Sequence, residues 1–256
     1  MRKIFNSINA LTLMLGTTRV FHPAKILKNK RVAVVGPADS AYKENLGDYI
    51  NGFDYIIRIN KAPYSLTSEK QKFVGKRTDI LFHSFYENTT SGGGPIDFNL
   101  YQEQEVKFVV NPNNNFNGLR AHFNYYKRNL RNQRVYILPR KLYKTLIKEF
   151  GKWTPTVGYS ALFSALYSGC SEVYITGFTF FKTPYADNYR DHFKDMEVNK
   201  NWIEEQQIHN PDLELLQFIK ESEFIKTKTS TKVILDKDLE NIVENYRKFL
   251  KKDEHE

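Results

Sequence analysis

Four short runs carry side chains and turns suited to holding an anionic ligand and moving a proton. The first is Val34-Val35-Gly36-Pro37-Ala38-Asp39-Ser40. A strand entering a glycine turn and then a helix presents free N–H groups to an anion. An ordinary strand-to-helix turn reads the same way, because the run matches neither the dinucleotide fingerprint nor the P-loop. The second is Phe53-Asp54-Tyr55-Ile56-Ile57-Arg58-Ile59-Asn60-Lys61-Ala62-Pro63. An arginine inside an apolar strand is costly unless paired. Asn60 ends that strand, and its amide can both donate and accept, which suits a base or ribose edge; Lys61 could meet phosphate or face water. The third is Thr154-Pro155-Thr156-Val157-Gly158-Tyr159-Ser160-Ala161-Leu162. Thr154 reads as an N-cap with Pro155 as the first helical residue. Gly158 lets a ligand approach the first turn, and the hydroxyls of Thr156 and Ser160 make this helix start an anion site or a plain capped core helix. In the fourth, His209-Asn210-Pro211-Asp212-Leu213-Glu214, the imidazole sits just before a helix opened by Pro211, where neutral it can act as a general base on an alcohol. His83, ending a strand, and His192, in a polar loop, are further candidates for ligand contact or acid–base work.

The elements that must position these groups follow from the apolar pattern. Short β-branched runs at 32–35, 54–59, 80–82, 106–110, 135–138, 173–176 and 232–235 read as strands, and helical patterns cover 117–131, 140–149, 157–168, 211–222 and 237–252. Strands alternating with helices predict one α/β domain, a mostly parallel sheet with helices on both faces. Ligands of such sheets bind beyond the carboxyl ends of the strands, near a reversal of strand order. The loops after Val35, Ile59, Phe82, Val110 and Thr176 are therefore the expected functional rim. Two stretches read as mobile: Asn88 to Pro95, with its Gly92-Gly93-Gly94 run, and a lid over about 182–201.

Composition bounds the rest. The chain has 256 residues, enough for one large domain or two small ones, and 14% aromatics, which excludes disorder. A single cysteine, Cys170, excludes a disulfide scaffold and points to a reducing compartment. No apolar run is long enough to span a bilayer. The net charge is +9, and seven basic residues precede the first acid, Asp39. Residues 1–30 thus form a basic leader, expected to meet an anionic membrane surface or another polyanion, or simply to be solvated; the domain proper would be 31–256. No aromatic-interleaved basic motif argues for nucleic acid.

Taken together, the four runs resemble the sialyltransferases of glycosyltransferase family 29. Val32 to Ser84 resembles the family's long sialylmotif, with Arg58-Ile59-Asn60-Lys61-Ala62-Pro63 its most specific piece and Val74-Gly75-Lys76-Arg77-Thr78-Asp79 following. Pro155 to Phe178 resembles the short motif, and the His209–Glu214 pair the very short one. The layout is also similar to that of bacterial family 42 sialyltransferases. The resemblance implies a Rossmann-like GT-A-type fold and inverting, metal-independent transfer of sialic acid or a related nonulosonic acid from a CMP-activated donor to a glycan hydroxyl. That donor is a substrate, so no cofactor is expected, and Asp236-Lys237-Asp238 is read as helix-start charge rather than a metal site. By position, Asn60 would contact the nucleotide; Gly36 and Ser40, with Thr156, Gly158 and Ser160, would hold ribose and phosphate; Tyr185 and Tyr189 would close over the phosphate; and His209 would deprotonate the acceptor.

Two departures from the family pattern bear on this. Pro37 stands where members commonly have asparagine, and the paired cysteines and membrane anchor of animal members are absent. The implied setting is a cytoplasmic enzyme, peripheral at the inner face of a bacterial membrane, acting on a surface glycan such as lipopolysaccharide or capsule. CMP-Kdo as donor, and a non-catalytic nucleotide- or polyanion-binding module, remain open alternatives.

Overall fold

The apolar runs form the centre of a single eight-stranded sheet. The computed structural model describes residues 2–88 and 92–253. The strands are β1 (Thr18–Val20), β2 (Arg31–Val35), β3 (Tyr55–Ile59), β4 (Ile80–Phe82), β5 (Phe108–Asn111), β6 (Val135–Ile137), β7 (Glu172–Thr176) and β8 (Lys232–Leu235). The helices are α1 (Arg2–Thr17), α2 (Pro23–Ile26), α3 (Gly47–Asn51), α4 (Ala62–Ser65), α5 (Ser68–Val74), α6 (Phe98–Glu103), α7 (Phe116–Arg128), α8 (Arg140–Ile147), α9 (Val157–Leu166), α10 (Met196–Gln206), α11 (Pro211–Lys228) and α12 (Lys237–Asp253). Every strand pair is parallel, in the order β1-β6-β5-β4-β3-β2-β7-β8.

Period-two alternation places helices on both faces. On β2, Val32 and Val34 enter one cluster with Leu162, Phe163, Leu215 and Phe218 of α9 and α11. Ala33 and Val35 enter another with Ile50 of α3 and Val74 of α5. Each valine, leucine, isoleucine or phenylalanine among them contributes roughly 1.5–3 kcal/mol by leaving water. Strand order reverses at β2: β3 lies to one side and β7 to the other. A crevice opens at the carboxyl edge beside this reversal, with Pro37 and Ala38 after β2 and residues 177–181 after β7 on its wall.

The expected boundary at residue 31 is not where the sheet begins. β1 pairs in parallel with β6, Thr18 opposite Val135, and Phe21 and Leu27 are fully buried in the main core. Ala10 of α1 packs with Tyr125 and Tyr126 of α7. The leader is therefore an integral edge of the domain; three residues with one apolar side chain gave no strand pattern to read.

The expected lid over 182–201 is fastened and partly helical. Asp39 N–H donates to Pro184 O (3.0 Å) and Ala186 N–H to Pro37 O (2.9 Å), making a bridge between Ala38 and Tyr185. From Met196 the chain is helical, capped by Asp195, whose carboxylate accepts from Glu197 N–H (2.8 Å) and Val198 N–H (3.2 Å). In the other stretch read as mobile, residues 89–91 lie outside the described residues. Gly93 there is held by His83.

Candidate active site

A cleft of about 610 Å³ opens at the strand-order reversal. Its walls come from the loops after β2, β3, β4, β5 and β7, the start of α9, and the segment ahead of α11. Backbone strain clusters along it: Asn60 (φ 50°), Phe180 (φ 49°) and Phe181 (φ 61°) lie in the left-handed region and line the cleft. Non-glycine residues hold such conformations at a cost of roughly 1–3 kcal/mol, and they gather at functional sites.

His209 stands in this cleft, half-buried before α11. Its Nδ1 lies 2.6 Å from Thr154 O. A carbonyl only accepts, so Nδ1 carries the proton and Nε2 keeps its lone pair. Burial, then the neighbouring Arg190 cation, hold the imidazole below its ordinary range, while the Thr154 bond offsets part of that. The group is a neutral base of fixed tautomer.

Facing elements are joined to it by Glu214. This carboxyl, 2% exposed on the first turn of α11, accepts from Thr156 N–H (2.6 Å) and Thr156 Oγ1–H (2.8 Å). Burial raises its pKa to about 8, against the pull of those two bonds. Thr154 N–H also donates to Ile208 O (2.8 Å). The 154–156 strand of backbone is thus gripped by 208–214 at three points, which sets the base and the start of α9 in one rigid relation.

That start lies two residues later than expected. Thr156, not Thr154, is the N-cap: its Oγ1 accepts from Tyr159 N–H (3.0 Å). Its hydroxyl is therefore committed to the helix and to Glu214 rather than free for a ligand. Ser160 is corrected likewise; it is buried, and its hydroxyl donates to Thr156 O (2.9 Å). Gly158 does line the cleft, with the space of a Cβ taken by Phe178 (3.1 Å) and Ile59 (3.3 Å). The N–H groups of Val157 and Gly158 are among those a helix start leaves without intrahelical partners.

Gly36 also serves the scaffold. A Cβ there would lie 2.2 Å from Gly177 O, because the loops leaving β2 and β7 touch backbone to backbone. Pro37 and Ala38, not Gly36, reach the cleft. Gly36→Ala should destabilise the fold by about 1–3 kcal/mol, read as a lowered thermal midpoint. Ser40 is buried away from the cleft, its hydroxyl without a hydrogen-bond partner among the described residues.

Asn60 meets the expectation of position. Its Oδ1 accepts from Ser84 N–H (3.1 Å), and its side chain shares a hydrogen bond with the Tyr189 hydroxyl. Tyr185 and Tyr189 line the same cleft, rings 5.4 Å apart. Lys61 lies behind them, its Nζ 5.6 Å from the Tyr189 ring, and burial lowers its pKa.

Arg58 and Asp79 belong to the scaffold. Arg58 is buried, and its guanidinium donates to the carbonyls of Val74, Gly75 (3.1 Å) and Arg77 (3.4 Å). Asp79 accepts from Ile56 N–H (2.8 Å), Arg77 (2.9 Å) and Lys107 (2.8 Å).

The remaining histidines lie outside the cleft lining. His83 is fully buried: Nδ1 accepts from Phe85 N–H (2.9 Å) and Nε2–H donates to Gly93 O (2.8 Å). His192 is exposed against Phe193. His122 is a packing residue, stacked 4.6 Å from Phe85. Burial drives both His83 and His122 down to about 4. Unfolded imidazoles bind protons near 6.5, so the contribution of these two groups should be full above that pH. It should fall as pH drops from 6.5 toward 4, by up to about 3 kcal/mol per group. Thermal midpoints at pH 7 and pH 5 check this in a Glu214→Gln background, which removes the opposing titration of that carboxyl.

Arg190 escaped the sequence reading. It lines the cleft at 5% exposure, its guanidinium over Phe193 (4.3 Å), Trp202 (4.8 Å) and Tyr185 (5.7 Å), and it donates to the Tyr185 hydroxyl. The aromatics flanking it at 185, 189, 193 and 202 were the available signal.

With this geometry in hand, comparison with known proteins is direct. The profile of glycosyltransferase family 29 (sialyltransferase) matches residues 2–221. The chain belongs to that family. No curated protein sequence matches it. Among solved structures, this sialyltransferase is similar to a mammalian sialyltransferase at TM-score 0.54 and 15% identity, covering 89% of this chain and 78% of that one. A second mammalian structure, in complex with Gal-β-1-3GalNAc-ortho-nitrophenol, gives 0.53 and 16%, with 88% and 78% covered. A variant of CstII, the sialyltransferase of Campylobacter jejuni, in complex with CMP, gives 0.50 and 17%, with 80% and 81% covered. At such identities these likenesses establish the shared fold, and the family match makes the chain a glycosyltransferase. Asp236 accepts from Gly177 N–H (2.9 Å) and caps α12 through Leu239 N–H (2.8 Å). Asp238 pairs with Lys43 (2.8 Å).

Proposed function

We propose that this sialyltransferase moves sialic acid, or a related nonulosonic acid, from its CMP-activated form to a hydroxyl of a surface glycan, with inversion and without a metal. The observation that carries the reading is His209, a neutral imidazole with its Nε2 lone pair fixed in the cleft that also holds the start of α9. The solved relatives bound to CMP and to a galactoside lend the substrate classes.

The chemistry follows from the parts. CMP occupies the cleft between Asn60 and the start of α9. The bond from anomeric carbon to phosphate oxygen breaks, its electron pair leaving on the phosphate. The first-turn N–H groups of α9, with Tyr185, Tyr189 and Arg190, stabilise that charge; preorganised donors of this kind supply the largest share of such rate enhancements. The acceptor oxygen bonds to the opposite face of the carbon, and its proton passes to His209 Nε2.

Mixing the protein with CMP-sialic acid and a galactoside should release CMP in proportion to the glycosylated product. NMR of that product should show inverted configuration, and EDTA should leave the rate unchanged. Failure of calorimetry to detect CMP binding, with no turnover across a panel including CMP-Kdo, would overturn the reading.

A further inference from the structure

Charge in this chain is segregated along the fold. Residues 1–38 and 106–148 carry seventeen lysines and arginines and not one acidic residue; the rest carries twenty-one against twenty-nine acids. The fold brings these two separate stretches together: β1 pairs with β6, and α1 packs on α7. The sheet edge built from β1, β6, α1 and α7 therefore carries cations and no acid, whereas Arg31 of the central β2 lies off it, paired with Glu172 (3.0 Å). Some of those cations are matched across the boundary, Lys107 to Asp79 (2.8 Å) and Arg128 to Glu87. Arg19, Arg120, Lys127, Arg131 and Arg134 are exposed on this edge.

Within it α1 shows an apolar face to solvent. Ala10 and Thr17 turn inward. Phe5 (65% exposed), Ile8 (59%), Leu11 (49%) and Leu15 (72%) share one arc of about 120° on the opposite side, at 100° per residue. Phe116, the first residue of α7, is 78% exposed, and its neighbours Asn115 and Asn117 line the cleft. Among the described residues no helix is long and apolar enough to cross a membrane.

We infer that this edge docks on an anionic lipid bilayer, with α1 lying in the interface plane and its apolar arc among the acyl chains. Charge complementarity selects the occupant. Basic residues near a surface of acidic lipids each contribute about 1 kcal/mol, and an amphipathic helix adds its buried apolar area. A polyanion such as RNA would use the charge but leave the arc of Phe5, Ile8, Leu11 and Leu15 in water.

Flotation of the full chain with vesicles tests this, using pure phosphatidylcholine and mixtures holding 30% phosphatidylglycerol (a composition set by the experimenter, on the order used to mimic anionic leaflets). The protein should float with the anionic vesicles, be lost from them in 1 M salt by screening, and stay behind with the neutral ones. The double substitution Ile8→Ser with Leu15→Ser, at exposed positions, should keep the fold by circular dichroism while weakening binding about tenfold or more. Arg131→Glu with Arg134→Glu should weaken it comparably. No flotation at low salt, or flotation unmoved by the Ile8/Leu15 pair, overturns the proposal. A dimer dispersed by that pair, seen by light scattering, would assign the arc to a second copy instead. RNA binding stronger than vesicle binding would assign the edge to nucleic acid.

Discussion

Replacing His209 by alanine should cut glycosyl transfer by about 10²–10⁴-fold while leaving CMP affinity within a few-fold of the parent. The removed group is the proposed proton acceptor, not a ligand of the leaving nucleotide, so the loss belongs in kcat. His209→Gln should rescue little, because an amide has no comparable basicity. The pH dependence has a definite sign. The imidazole must be neutral, and its pKa lies below the ordinary 6.5, through burial and Arg190. The rate should therefore hold steady from neutrality down through 6.5 and fall only at more acid pH. Turnover undiminished in the alanine variant, or an acid limb above 6.5, would remove His209 from the mechanism.

The second large effect is expected at Glu214. Glu214→Ala leaves the half-buried Thr156 N–H without its acceptor and opens a cavity between α9 and α11; the two together cost about 3–5 kcal/mol. Activity should fall with stability, because the same grip sets His209 against the helix start. Glu214→Gln separates the two roles. Its amide oxygen can still accept from Thr156 N–H, so the fold should survive with a modest loss. Glu214 also makes a pH signature opposite in sign to the buried histidines. Its folded pKa, about 8, exceeds the ordinary carboxyl value. Its contribution is full below that ordinary value and is lost as pH climbs toward 8. The glutamine variant should lack this alkaline loss, which denaturant melts at pH 6 and pH 9 would reveal.

Much of the frame was legible because it is built from β-branched runs too short for buried helices. Val32–Val35 and Val173–Thr176 declare themselves by composition, and Asn210-Pro211 marks where α11 opens and so where His209 must lie. Other features depend on partners far away in sequence. Thr18-Arg19-Val20 is a strand only because Val135–Ile137 lies alongside. Hydroxyl residues were misread for a related reason. The chemistry of Thr156 and Ser160 fits a ligand, but the donor they meet first is their own helix or Glu214. Gly36 looked like a ligand cradle and is a backbone crossing with Gly177. Arg190 sat in a polar run, Asn188-Tyr189-Arg190-Asp191, whose burial only the rings of Phe193 and Trp202 bring about.

The pairing of Thr18 with Val135 also constrains how the molecule is made. The outermost strand leaves the ribosome first, yet its neighbour emerges more than a hundred residues later, and a parallel crossover of that span closes slowly. Until then α1 has no α7 to cover its inner side, and both of its apolar sides stand bare to the cell. Synthesis of this enzyme therefore passes through a period of sticky, half-assembled chain, during which a chaperone or a nearby lipid surface competes with the native partner.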